Sequence, residues 1–348
     1  MKKSLLALAV LGSFAGVASA QSSVTLFGIV DLSARQVKNG SNNALKTMAT
    51  DGINSSRLGF RGVEDLGGGL SAGFWLEAGM DNGLGAVGGS NSLASVFFNR
   101  RSTVSLMGRF GEIRLGRDYT SGFWNTTVFD PFGTNGVGAF TNLSINASLE
   151  SATYVRSNNT VGYFLPGNLG GLYGQVQRSA SEGILGQQQT SGRIGFAAGP
   201  VNVAASHQIT EKGANDWKHS NIAGSWNFGF MNLMAQYDTQ KLAAVKQNTY
   251  LIGAVVPIGQ GELHVSYDKQ DRKGGAAGTS NENADDADQI AVGYVYNLSK
   301  RTAVYGTYAQ IKNKGGAANG SNQLIPGGVG NAVGAKSTGV EVGLRHAF

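Results

Sequence analysis

The sequence predicts an all-β protein, a 16-stranded antiparallel transmembrane β-barrel, and three observations carry that prediction. The composition suits extended backbone and turns: of 348 residues, 53 are Gly, 5 are Pro and none is Cys. Apolar and polar residues alternate over segments of about ten residues, the period-two pattern of a strand with two unlike faces. The connections alternate between short turns and long Gly/Asn/Ser-rich stretches, as in a barrel with tight turns at one rim and loops at the other.

Composition removes the main alternatives. Hydrophobic residues make up 41% and charged ones 14%, with a mean hydropathy of −0.12. That is too polar for a bundle of membrane helices and too poorly charged for a solvated disordered chain. Scarce Pro and the absence of a Gly-X-Y period exclude collagen-like and Pro-rich chains. The first twenty residues read as an export signal: Lys2 and Lys3, an apolar run from Leu5 to Val17, then Ala18-Ser19-Ala20 before Gln21. The organisation expected is therefore a signal peptide over 1–20 and a barrel over 21–348. Without the two leader lysines the 28 basic residues fall to 26, against 22 acidic ones. Export removes nucleic acid as a partner despite a pI near 9.4, and the lack of Cys means that no disulfide framework supports the fold.

The elements follow in order along the chain. Val24, Leu26, Gly28, Val30 and Leu32 alternate with Thr25, Phe27, Ile29, Asp31 and Ser33. Leu58 and Phe60 alternate with Arg57, Gly59 and Arg61, and Leu70, Ala72, Phe74 and Leu76 with Ser71, Gly73, Trp75 and Glu77. Leu263, Val265 and Tyr267 stand against Glu262, His264, Ser266 and Asp268. The last segment sets Val340, Val342, Leu344, His346 and Phe348 against Glu341, Gly343 and Arg345. Short connections carry turn residues, as at Arg109-Phe110-Gly111, Gly199-Pro200 and Leu298-Ser299-Lys300. Long ones cover roughly 81–95, 119–150, 273–287 and 314–335. Sixteen segments at about 20 residues per strand and connection match an outer-membrane barrel. A pair of soluble sandwiches is the rival reading. Segments of ten residues exceed the usual strand, and the second face is polar where a sandwich would bury it. Phe60, Phe97, Tyr163, Tyr237, Tyr294, Tyr296 and Phe348 near strand ends suit interfacial aromatic girdles.

Several segments resemble Gram-negative general porins, above all the trimeric porins of β-proteobacteria. They are Ser56-Arg57-Leu58-Gly59-Phe60-Arg61-Gly62-Val63-Glu64-Asp65-Leu66-Gly67, Arg100-Arg101-Ser102-Thr103-Val104-Ser105-Leu106, Phe110-Gly111-Glu112-Ile113-Arg114-Leu115-Gly116-Arg117-Asp118 and Tyr296-Asn297-Leu298-Ser299-Lys300-Arg301-Thr302. The ending Gly343-Leu344-Arg345-His346-Ala347-Phe348 is similar to the family's closing strand. The resemblance runs from Val24 to Phe348 and falters only in the long loops. It implies a homotrimer in the outer membrane, passing small hydrophilic solutes by diffusion without a cofactor or catalysis. It also implies that the third long loop, about 119–150, folds into the barrel and narrows it. Phe348 resembles the family's assembly signal, read by the barrel-assembly machinery; outer-membrane lipid and lipopolysaccharide are the surroundings implied.

Charge patterning suggests what the narrowing does. From Tyr119 through Val155 there is no Lys or Arg, and the acidic residues are Asp130 and Glu150. Arg57, Arg61, Arg114 and Arg156 fall on the strand face opposite apolar neighbours, hence inward. Of Arg100 and Arg101, parity favours Arg101, which shares a face with Thr103 and Ser105; a bulge would reverse this. A wall of guanidiniums facing loop carboxylates sets a field across the narrowest point, and an excess of Arg predicts modest anion selectivity. Pairing of these arginines with Glu77, Glu112 and Asp118 as plain wall structure is the competing reading. Substrate-specific channels for organic acids or phosphate, a non-conducting adhesin barrel and an outer-membrane lipase are the alternative functions.

Other signals are weak. Gly83-Leu84-Gly85-Ala86-Val87-Gly88 spells G-x-G-x-x-G in a loop with no helix after it. Glu282, Asp285, Asp286 and Asp288 form an acidic loop able to attract divalent cations, without the pattern of a calcium loop. His207, His219, His264 and His346 lack metal-ligand spacing, and no G-x-S-x-G elbow occurs.

Overall fold

A two-faced strand has to bury one face, and here the sheet does so by closing on itself. The computed structural model of the protein describes residues 23–90, 95–145, 149, 153–274, 286–314, 323–329 and 334–348. The predicted leader, Glu150, Glu282 and Asp285 lie outside the described residues. Sixteen wall strands run in chain order: β1 (Ser23–Asn39), β2 (Arg57–Gly67), β3 (Leu70–Asp81), β4 (Arg101–Gly108), β5 (Gly111–Tyr119), β6 (Arg156–Phe164), β7 (Leu172–Ser179) and β8 (Gln189–Ala198). They continue as β9 (Val201–Thr210), β10 (Trp217–Asn227), β11 (Asn232–Leu242), β12 (Val245–Ile258), β13 (Gly261–Lys273), β14 (Asp286–Asn297), β15 (Thr302–Lys314) and β16 (Lys336–Ala347). Each pairs antiparallel with the next. The barrel closes where β16 pairs with β1 from Ile29↔Ala347 to Asn39↔Ser337.

The faces are inverted relative to a protein folded in water. Leu26, Ile222, Ile252 and Val342 point outward and are 54–64% exposed, whereas Gln208, Asp238, Asp268 and Gln289 point inward and are fully buried. An apolar outer face all round the barrel is untenable in water. It fits a closed sheet whose backbone groups are all paired and whose outside meets lipid.

Short turns join the strands at the rim where β1 begins and β16 ends; the opposite rim carries the loops. One loop departs from strict alternation: β11 and β12 are joined by Ala243 and Ala244 alone, with Ala243 at φ +52°. The first loop also interrupts the wall. A short strand, Leu45–Thr50, pairs with the upper part of β1, and β2 pairs with the lower part. Between them residues 51–56 leave the sheet and turn into the lumen. The carboxylate of buried Asp31 replaces the lost strand partner, accepting the backbone N–H groups of Gly52, Ile53 and Asn54 at 3.3, 3.0 and 2.8 Å, and the Tyr305 hydroxyl also donates to it. Backbone donors removed from a ladder and from water need such acceptors.

At the closing seam Gly28 and Phe348 exchange two backbone hydrogen bonds, each 3.0 Å. The Phe348 ring lies over Gly28, where a β-carbon would come within 2.2 Å of it. Gly28→Val is therefore expected to unseat the ring and lower the thermal unfolding midpoint. Adding Phe348→Ala to that variant is expected to cost little more, and full additivity in the double mutant would refute the contact.

Candidate functional site

The described residues of the third long loop between β5 and β6, 120–145, 149 and 153–155, lie inside the barrel. The loop opens with helix α1 (Ser121–Val128), whose N-cap Thr120 accepts the Phe123 N–H at 3.3 Å, and continues through a turn into α2 (Thr141–Ser144). A loop that leaves water must satisfy its backbone against the wall, and inward-facing amide side chains, each both donor and acceptor, supply the partners. Gln240 and Gln247 donate to the Ser144 carbonyl at 2.7 and 2.9 Å, and Gln289 to that of Ala139 at 3.1 Å. Asn125 donates to Asn221 at 2.6 Å, and the Val137 N–H is bound by Glu341 at 3.0 Å, itself paired with Arg35 at 2.8 Å. Phe132, Val137 and Leu143 pack with Ala291, Ala309 and Ile311 of the wall. Ser55 bonds Asn135 at 2.8 Å, tying the first loop to the third.

The loop thus fills the β7–β16 side and leaves the passage against β2–β6. There a cavity of about 590 Å³ is bounded by Arg57, Arg100, Tyr119 and Arg156 on the wall side and by Trp124, Asp130 and Thr134 on the loop side. Glu77 sits behind the arginines: Arg100 Nε is 2.5 Å from its carboxylate and an Arg57 terminal nitrogen 3.6 Å. Trp75 holds the other oxygen at 3.0 Å. Arg156 lies over the Tyr119 ring at 4.4 Å and donates its Nε to the Arg100 carbonyl at 2.8 Å. Among the described residues no carboxylate lies within ion-pairing distance of Arg156. Asp51 also borders the cavity. Burial raises its carboxyl above the usual range, against the Ser56 N–H at 2.6 Å and the Thr50 hydroxyl at 3.0 Å.

The other sequence candidates divide. Arg61, Arg101 and Arg114 face the lumen further toward the short-turn rim, around a second hollow with Trp75 and Glu112. Arg114 is bound by Glu112 at 2.8 Å and Asp118 at 2.6 Å, and Arg101 lies 3.6 Å from Asp118. At that level the wall-pairing reading describes the geometry. One expectation is corrected and one refined. Parity pointed to Arg101, but Arg100 joins Arg57 and Arg156; it precedes β4, so strand alternation does not govern it. Asp130 was expected to face the arginines as a loop carboxylate. It borders the same cavity as the arginines but is nearly fully buried, accepting the N–H groups of Phe132, Thr134 and Phe140 at 2.9, 2.8 and 3.0 Å. Beside it the loop lining is mainly aromatic and hydroxylic, with Phe123, Trp124, Thr127, Phe132 and Thr134.

Sequence reasoning missed the amide comb of Gln240, Gln247 and Gln289, although its signal was present as Gln on inward parity in β11–β14. It also missed Arg117, which binds the Asn99 carbonyl at 2.7 Å. Arg117 lies opposite a register shift between Ser157 and Thr160 of β6, and also binds the Asn158 side chain at 2.5 Å.

A closed, lipid-facing barrel with a strap inside and a charged passage beside it defines a channel-forming protein of the outer membrane. The chain belongs to the Gram-negative porin family, whose model matches residues 7–316. It is 40% identical to outer membrane porin protein 32 of Delftia acidovorans, over the whole of both chains. An outer membrane porin protein of Bordetella pertussis is 28% identical, also over full length. Among solved structures, the anion-selective porin from Comamonas acidovorans superposes with a TM-score of 0.79 at 37% identity, covering 94% of this chain and 100% of that one. OmpT of Vibrio cholerae, at 14% identity and a TM-score of 0.67 over 95% of this chain and 99% of that one, shares the fold. The protein is an outer-membrane porin, a passive diffusion channel.

Proposed function

We propose that the channel prefers small hydrophilic anions and that Arg57, Arg100 and Arg156 form its filter. The observation that carries this is the imbalance at the eyelet. Three guanidiniums line it against Glu77 and a desolvated Asp51, while on the opposing loop Asp130 is buried with both carboxylate oxygens taken up by backbone N–H groups. Guanidiniums stay charged at any physiological pH, and an unpaired one presents donors to carboxylate, phosphate or chloride. The anion-selective character of the Comamonas porin supports the same reading. The pore works as a homotrimer in contact with lipid and lipopolysaccharide. The chain reaches the membrane after loss of residues 1–20, with Phe348 presented to the barrel-assembly machinery.

The test is the reversal potential of purified protein in a planar bilayer across a KCl gradient. Chloride is expected to be more permeant than potassium. The preference should be strong near 0.1 M, where the screening length is about 10 Å, and should fade near 1 M, where it is about 3 Å. A potassium-favouring potential at low salt would sink the proposal while leaving the porin intact.

A further inference from the structure

On the outer face of β10–β13, at the loop rim, four lysines stand side by side. Lys218 lies directly opposite Lys241, Lys241 opposite Lys246, and Lys246 opposite Lys273. All four point outward, because Trp217, His219, Gln240, Gln247 and Arg272 beside them are buried on the inner face. Adjacent strands are about 4.8 Å apart, and like charges directly opposite one another in a sheet are destabilising. No carboxylate of a described residue pairs with any of the four, so the row is a structural cost that a bound anion would remove.

The rows beneath show which anion. One step below, the same strands carry Ser220, Thr239, Asn248 and Asp271, the last held by Lys269 at 3.1 Å. Next come Ile222, Tyr237, Tyr250 and Lys269, the tyrosines stacked at 5.0 Å and Lys269 reaching up to Asp271, and below them exposed Ile252. Apolar, aromatic, hydroxyl/amide and cationic rows in that order follow the profile of a leaflet from hydrocarbon to headgroup. The lysines stand about 10 Å above the tyrosines, from four residues of tilted strand, at phosphate level.

We propose that this lysine ladder docks the phosphate groups of an outer-leaflet lipid, a bisphosphorylated glycolipid whose two phosphates bridge neighbouring lysines. The inference deepens the lipid contact read above and is independent of ion selectivity. The experiment follows the thermal unfolding midpoint of the detergent-purified protein titrated with bisphosphoryl lipid A, monophosphoryl lipid A and inorganic phosphate.

Bisphosphoryl lipid A is expected to stabilise the wild type with the lowest half-saturating concentration. K218Q/K241Q/K246Q/K273Q is expected to need at least about tenfold more, given the usual contribution of each basic residue near an anionic surface. Without lipid, that variant is expected to be no less stable than wild type, since like-charge repulsion is gone. K241Q/K246Q serves as a milder variant and K300Q, at the opposite rim, as the control. Equal titration curves for wild type and variants would overturn the proposal. So would equal stabilisation by inorganic phosphate at matched phosphate concentration. Chloride preference is expected to persist in every variant, so failure here and failure of the anion filter are told apart.

Discussion

Replacing Arg156 by alanine is expected to move the low-salt reversal potential most of the way to zero, and replacing Arg57 with it to invert its sign. The three eyelet arginines are not equivalent. Arg100 is locked between Glu77 at 2.5 Å and the Tyr119 hydroxyl at 3.2 Å, so much of its charge is answered locally. Arg156 gives the protein only its Nε and a ring face, leaving its terminal nitrogens to the passing ion. Arg57 is intermediate, with Glu77 at 3.6 Å and the Ser55 carbonyl at 2.8 Å. Without Arg57 and Arg156, Glu77 and Asp51 face Arg100 alone and cations gain the advantage. Single-channel conductance should change less than selectivity, because the loop is anchored elsewhere. An unchanged potential in the Arg57→Ala/Arg156→Ala variant would remove these residues from the filter.

The second large effect is expected at Asp130, for the opposite reason. Its carboxylate lies inside the loop, and Asp130→Ala would leave the Phe132, Thr134 and Phe140 amides without their acceptor, at about 1–3 kcal/mol for each orphaned donor. The wall strands do not depend on this turn, so the barrel should stay folded while the loop loosens. The predicted signature is a larger, noisier single-channel conductance and new protease cleavage within 120–155. Burial raises the Asp130 carboxyl from 3.8 to about 6. A raised acid favours the folded loop when protonated, a contribution fully present below about 3.8 and lost as pH rises through 6. Wild-type current noise should therefore increase between about pH 4 and pH 6 and level off above, and that dependence should vanish in Asp130→Ala. A quiet channel of unchanged conductance in the variant would refute the structural role.

Much of this molecule was legible along the chain because a barrel strand must alternate. Val340, Val342 and Leu344 face outward and Glu341 inward, as parity required. Arg57 and Arg61 fall on one face for the same reason, yet they sit at different heights with different neighbours. Height depends on strand register and tilt, which alternation leaves open. Parity fails altogether where the backbone leaves the ladder. Arg100 precedes its strand, Arg117 lies opposite a register shift between Ser157 and Thr160, and residues 51–56 step out of the wall onto Asp31.

The chain alone determined the class of fold, the two-faced strands, the rim that carries loops and a lumen lined with guanidiniums, since these follow from local period and turn chemistry. The tertiary structure decided which arginines share the eyelet and that Asp130 holds a loop together. It also decided that glutamines bind that loop to the wall and that four distant lysines stand in one row. The Asp130 turn closes through bonds to residues two to ten positions on, but the others depend on register between segments up to a hundred or more residues apart. Such register is set by closure of the barrel and by the demand that every buried backbone group find a partner.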